Sequence, residues 1–198
     1  MVLTMNNSFF TDPRDGETYR TVKIGNQIWM AENMRFKCEG MIAYATEESK
    51  LQKYGLLYCW ERVLGVIPKG WHLPTADEWR MMFIRAGAKY AGIVDNEDAY
   101  AGAAKILKSA DDWVLDKDFL QTVHAGERPD PFGFSVLPSG GISHCKYAEN
   151  GSAAIFWGYD KFNHRPYRVQ FYNFSDDAYI GSPANDISCA CAVRCVKD

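Results

Sequence analysis

Near Trp113 the hydrophobic rhythm of this chain changes, and few folds accommodate such a change. Before it, apolar residues recur at helical spacing. After it they alternate in short runs, separated by stretches rich in Gly, Asn, Asp, Ser and Pro. The spacing of Leu56, Leu57, Trp60, Val63 and Leu64 predicts a short helix over 53–64. Tyr100, Ala104 and Leu107 predict another over 97–108. Alternation predicts strands at Phe132–Val136, Ala153–Trp157, Tyr167–Tyr172 and Cys191–Val196. Helices first and antiparallel strands later, with no regular βαβ alternation, predict an α+β fold.

Two local signals are sharper. Thr75 and Glu78 stand three apart after Pro74, which is the spacing of a capping box. The helix it starts carries Trp79, Met82, Phe83 and Ala86 on one face. Near the N-terminus, Tyr19–Ile24 and Gln27–Met30 flank Gly25-Asn26, a hairpin signal. No Gly/Ser- or Pro-rich linker divides the chain, so residues 1–8 read as a flexible N-terminus and 9–198 as one domain.

Bulk properties exclude some partners. A net charge of −3 and a pI near 5.8 carry no basic footprint for nucleic acid. No run approaches the roughly 18 apolar residues of a membrane span, so no membrane insertion is expected. Met1–Phe10 shows neither a basic nor an apolar region of a signal peptide.

Several segments taken in order resemble one family. They are Phe10–Tyr19, Val22–Gln27, Trp29-Met30-Ala31-Glu32-Asn33-Met34, Tyr54–Tyr58 and Gly70-Trp71-His72-Leu73-Pro74-Thr75 with Glu78-Trp79. Phe132–Ser135, Leu137–Gly141 and Val193–Asp198 follow. Together they resemble the Fibrobacter succinogenes major paralogous domain, over nearly the whole chain. The resemblance implies a C-type-lectin-like fold. Two main helices would flank short antiparallel sheets, and the N- and C-terminal strands would be adjacent. It also implies a place on a bacterial extracellular surface or a phage virion. The chain departs from the pattern in its cysteines. Where many members carry Cys before the Gly-Trp-His-Leu-Pro stretch, this chain has Ile67, and a second common pair is missing, so Cys195 lacks its implied partner. Most of the six cysteines are therefore expected to be free and buried.

The residues themselves leave the cysteines open. Cys189, Cys191, Val193 and Cys195 would share one face of a strand, as core, as disulfide partners, or as a metal or redox site with His144 and Cys145. The helix start Leu73-Pro74-Thr75…Glu78-Trp79 is also similar to that of the formylglycine-generating enzymes, which use a cysteine pair and copper. The spacing of Cys191 and Cys195 does not match theirs, so no catalytic position carries over and no cofactor or metal is expected. Arg128-Pro129-Asp130 and Ala184-Asn185-Asp186 echo lectin calcium loops too poorly for a calcium site. His72 reads as a structural histidine, and His124, His144 and His164 have no metal-ligand spacing.

Residues 157–188 have the Tyr-, Asn- and Ser-rich composition of binding loops. They place an expected ligand surface at Tyr159, Asn163, Arg168, Gln170, Tyr172, Asn173, Asp176 and Asp177. All are expected exposed on one face, over buried Trp157, Val169 and Phe171. The expected function is a non-enzymatic recognition module for a protein or glycan. The alternatives are a cysteine-dependent oxidase or metal enzyme, and a structural domain of a larger assembly.

Overall fold

The computed structural model describes residues 8–43, 48–114, 130–143, 146–148, 151–181 and 189–198. His124, His144, Cys145, Arg128, Pro129 and Ala184–Asp186 lie outside these residues. In chain order the elements begin with strands β1 (Ser8–Thr11), β2 (Thr18–Ile24), β3 (Gln27–Met30) and β4 (Met41–Ala43). Helix α1 (Glu48–Tyr54), β5 (Leu56–Cys59), α2 (Trp60–Val66), β6 (Trp71–His72) and α3 (Ala76–Arg85) come next. Then follow β7 (Lys89–Val94), β8 (Glu97–Ala101) and α4 (Ala103–Leu107). The rest is strand: β9 (Gly141–Ser143), β10 (Lys146–Ala148), β11 (Ala153–Asp160), β12 (Arg165–Tyr172), β13 (Ala178–Gly181), β14 (Ala190–Cys191) and β15 (Val196–Lys197).

These strands form three five-stranded sheets, in the orders β1-β2-β3-β15-β6, β10-β9-β14-β5-β4 and β11-β12-β13-β8-β7. Every named pair is antiparallel. The N-terminal hairpin forms as its sequence predicts, with Ile24 opposite Gln27 and Gly25 at φ 63° in the turn. The last strand lies beside it, Val196 opposite Trp29.

The expected α+β, C-type-lectin-like arrangement of two main helices flanking short sheets is corrected by this architecture. The described chain is mostly β, with three small sheets and four short helices. Two predicted helices account for the difference. Gly55 sits at φ 74° and stops α1, its N–H bonding Leu51 O. Leu56 to Cys59 then become an inner strand, paired with β4 on one side and β14 on the other. Farther on, Asp95 and Asn96 take φ of 48° and 66°, which makes the turn of the β7–β8 hairpin. So 97–101 is strand and only 103–107 is helix. The segment Phe132–Val136 is not a strand; Val136 makes only an isolated bridge to Lys108.

The capping box is present in full. Glu78 N–H donates to Thr75 Oγ1 at 3.3 Å, and Thr75 N–H donates to Glu78 Oε2 at 2.8 Å. Such a cap is worth about 1 kcal/mol. The helix it starts buries Trp79, Met82 and Phe83.

Two apolar cores result, and the C-terminal segment runs between them. Ala190, Ala192 and Val196 pack into a core built around Trp29, Trp79, Phe134, Phe156 and Phe171. Cys189, Cys191, Val193 and Cys195 pack into the other, with Tyr19, Met30, Tyr58 and Trp157. Residues two apart therefore do share a face here. The three cysteines are buried, Cys38 and Cys59 are partly buried, and no disulfide joins any of these five among the described residues.

Arg194 lies buried beside the first core. Its guanidinium donates to Asn33 Oδ1 at 2.7 Å, to Phe134 O and to Ser135 O at 2.9 Å. It sits 4.6 Å from the Phe134 ring centre. Asn33 also donates to Tyr54 O at 2.8 Å, and a Cβ on Gly55 would meet Asn33 Cβ at 2.6 Å. Residues far apart in sequence thus close one buried knot.

Candidate functional site

The knot and the cores are buried; a groove open to a ligand lies elsewhere. The start of α3, the tip of the β7–β8 hairpin and the β11–β12 turn surround a groove of about 1060 Å³. Pro74 holds two of these walls together. Its carbonyl accepts from Tyr159 N–H at 3.0 Å and from Tyr167 O–H at 2.6 Å. Tyr167 reaches it only by lying across Gly158, its register partner, where a Cβ would meet the ring at 2.0 Å.

The β11–β12 turn is tied off by its own polar groups. Asp160 Oδ1 accepts from the N–H groups of Phe162 and Asn163 at 2.9 and 3.2 Å, and Oδ2 accepts from Asn163 Nδ2 at 2.7 Å. The Asn163 side-chain bond leads these contacts in holding the Asp160 carboxyl below its ordinary pKa. Tyr159 Oη and His164 Nδ1 are 2.6 Å apart. The result pushes Phe162 into solvent at 83% exposure. Three other apolar side chains on separate elements also stand more than half exposed around the groove: Leu64, Met81 and Ile93.

The floor is polar and internally paired. His72 sits between two carboxylates, with Nε2 2.8 Å from Glu78 Oε1 and Nδ1 2.8 Å from Asp198 Oδ1. Two ionised carboxylates on the two ring nitrogens are both satisfied only when both nitrogens carry hydrogen, so this pairing favours the imidazolium form. The bond to Glu78 raises the His72 pKa most; burial opposes it and Asp198 adds to it. Burial pushes Glu78 up, but the bonds from His72 and Thr75 outweigh it and hold the carboxyl below its usual range. Arg80 bridges Asp77 at 2.9 Å and Asp98 at 2.8 Å.

The sign of the pH dependence follows. The His72 contribution to stability is complete below its ordinary pKa of 6.5 and is lost as pH rises through the raised folded value. The Glu78 contribution is present above its ordinary 4.5 and is lost as pH falls through the lowered one. The pin on α3 is therefore strongest in mildly acidic solution. An NMR titration should find His72 titrating above 6.5, and Glu78→Gln should bring it down. A midpoint at or below 6.5 in the parent protein would contradict the pairing.

The expected ligand surface is distributed differently from the sequence reading. Tyr159 lines this groove and Asn163 belongs to the turn beside it. Trp157, Val169 and Phe171 are buried, but so is Gln170, at 6% exposure, which corrects its expected outward position. Gln170 Nε2 donates to Glu97 Oε1, and Tyr172 Oη donates to Gln170 Oε1. Arg168 reaches Cys189 Sγ at 3.5 Å. Asn173, Asp176 and Asp177 lie past the other end of β12, more than roughly 25 Å along the strand from the turn. There they serve the chain itself. Asn173 Nδ2 donates to Val114 O, Asp176 O accepts from Ala104 and Lys105 N–H, and Asp177 Oδ1 accepts from Gly102 N–H. The eight residues do not converge on one exposed face.

The groove residues that sequence reasoning missed include Leu64, Arg80, Asp98, Met81, Ile93 and Phe162, while His72, read as a structural histidine, is bonded to Glu78 and Asp198. The Asp95-Asn96 turn signal would have placed Ile93 at a hairpin tip. The cysteines offer a different chemistry. Burial pushes the Cys191 and Cys195 thiols well up, so neither is a thiolate near neutral pH. Among the described residues, no three His, Cys, Asp or Glu side chains are grouped to hold a metal, and no helix is long and apolar enough to cross a membrane.

In comparisons with known proteins, a family model described as Fibrobacter succinogenes major domain matches residues 22–197. No curated protein and no solved structure matches the chain.

Proposed function

The chain belongs to the Fibrobacter succinogenes major domain family, and from that premise we propose that it is a non-enzymatic recognition module. Its ligand sits in the groove between α3, the β7–β8 tip and the β11–β12 turn. One observation carries the reading. Leu64, Met81, Ile93 and Phe162 come from four separate elements and leave large apolar surface in water around a single groove. Exposed apolar side chains gathered around one groove and rimmed by polar groups are the kind of surface that interaction sites present. The buried, protonated state of Cys191 and Cys195 argues against the cysteine-oxidase alternative. The display on a bacterial surface or phage particle that the family resemblance implies is part of this proposal.

A screen of the protein against a random-peptide library and a bacterial glycan array tests it. Ligands are expected, and combining Met81→Ser with Phe162→Ser should weaken them by about tenfold or more. Both side chains are exposed, so the unfolding midpoint should hardly move. The pair Arg168→Ala and Tyr172→Ala should leave binding intact. Ligands lost on the second pair and kept on the first would move the site to the face of β12. Finding no ligand in either screen would remove the reading.

A further inference from the structure

We infer that the groove takes a basic, amphipathic peptide segment of a partner protein, with lysine or arginine set between apolar side chains. The inference rests on the groove being the ligand site. Three features of its walls select this chemistry.

The rim comes first. Leu64, Met81 and Ile93 are aliphatic, and Phe162 stands alone on its turn. Such a rim suits branched and linear apolar side chains, and Met81 can adjust its shape to them. The floor comes second. Its polar groups are already bonded to one another: His72 to Glu78 and Asp198, Arg80 to Asp77 and Asp98, Tyr167 to Pro74 O. With Arg80, His72 and Tyr167 committed to internal acceptors, the floor offers a ligand mainly carboxylate oxygens with acceptor capacity to spare, which suits a cation that donates N–H.

Charge comes third. Asp77, Glu78, Asp98 and Asp160 line the groove against Arg80, Lys161 and His72. Asp198 adds a further carboxylate beside His72. Arg80 is shared by two carboxylates, so it leaves one negative charge uncompensated. The hydrogen bonds on Asp160 come from neutral amides, and Arg165 stands opposite it across the hairpin, so the carboxylates around the groove still outnumber the cations. The groove is thus apolar at the lip and negative overall. A cationic segment gains attraction there, and an acidic one is repelled.

Calorimetric titration of the whole chain with three synthetic peptides decides the matter. One alternates Leu and Lys, one has Glu in place of each Lys, and one has Ser there. The Lys peptide should bind, and the Glu peptide should bind at least about tenfold more weakly. Added salt should weaken the Lys peptide, and so should Asp77→Asn combined with Asp160→Asn. The Met81→Ser and Phe162→Ser pair should weaken it as well. Equal binding of all three peptides, lost on the Met81 and Phe162 pair, would overturn the charge selection and leave the groove as the site. So would failure of all three peptides while an array ligand of another class is lost on that pair. Lys-peptide binding that none of these substitutions changes would overturn the inference as unspecific attraction.

Discussion

Arg194→Ala is expected to lower the unfolding free energy by about 3–5 kcal/mol, one of the two largest single losses in this protein. The guanidinium is almost fully buried, and its partners are neutral: Asn33 Oδ1, Phe134 O and Ser135 O. Truncation leaves those three acceptors in a dry site, at about 1–3 kcal/mol for each one unsatisfied, and opens a cavity between the Phe134 and Phe156 rings. Desolvation lowers the Arg194 pKa to about 9, which still leaves it charged at neutral pH. The aromatic faces and carbonyl dipoles offset the cost of that charge. Arg194→Lys keeps the charge but cannot donate along three fixed directions, so it should recover only part of the loss. Denaturant unfolding of both variants measures this. A loss under about 1 kcal/mol for the alanine variant would mean the site is wet or the bonds are not made.

Trp79→Ala should cost a comparable amount, about 3–5 kcal/mol. Trp79 is fully buried, and its ring lies 4.7 Å from Trp29, 5.7 Å from Phe83 and Phe156, 6.0 Å from Phe134 and 6.4 Å from Phe171, centre to centre. These neighbours come from β3, α3, β11, β12 and the 130–140 segment, so the indole joins two sheets and a helix. Its buried Nε1–H has no hydrogen-bond partner among the described residues. Trp79→Phe removes that unpaired donor as well as some volume, so it should cost clearly less than the alanine change. Equal losses for the two variants would show that the ring is not the packing centre. Loss of the near-ultraviolet dichroism in the alanine variant would report the loosened aromatic core.

The segments that carry the family resemblance prove to be mainly structural. Asn33 and Gly55 close tightly on each other, and Phe134 and Ser135 supply carbonyls to Arg194. Thr75 and Glu78 cap α3, and Trp79 fills the core. That explains why the motifs identify the family while leaving the ligand surface undefined. Of the residues that the Tyr- and Asn-rich composition of 157–188 singled out, Tyr159 lines the groove and Asn163 bonds Asp160 in the turn beside it. Gln170 is instead buried against Glu97 and Tyr172, and the Asn173 and Asp177 side chains bond the backbone of Val114 and Gly102. Polar side chains that serve the protein itself have the same composition as those that await a ligand.

What the sequence determined by itself is local. The Gly25-Asn26 hairpin, the capped start of α3 and the shared face of Cys189, Cys191, Val193 and Cys195 each depend on neighbours within a few residues. What only the tertiary structure decided depends on partners far away. Leu56–Cys59 has a helical pattern of apolar residues, yet it is a strand because β4 and β14 offer its backbone two ladders. The same apolar residues would satisfy either period, so burial alone could not choose. The groove is tertiary in the same sense. Pro74 O joins α3 to the β11–β12 hairpin, and Asp198 meets His72 across 126 residues of chain. No spacing in the sequence encodes such meetings, because they arise from how three sheets pack rather than from the period of any one element.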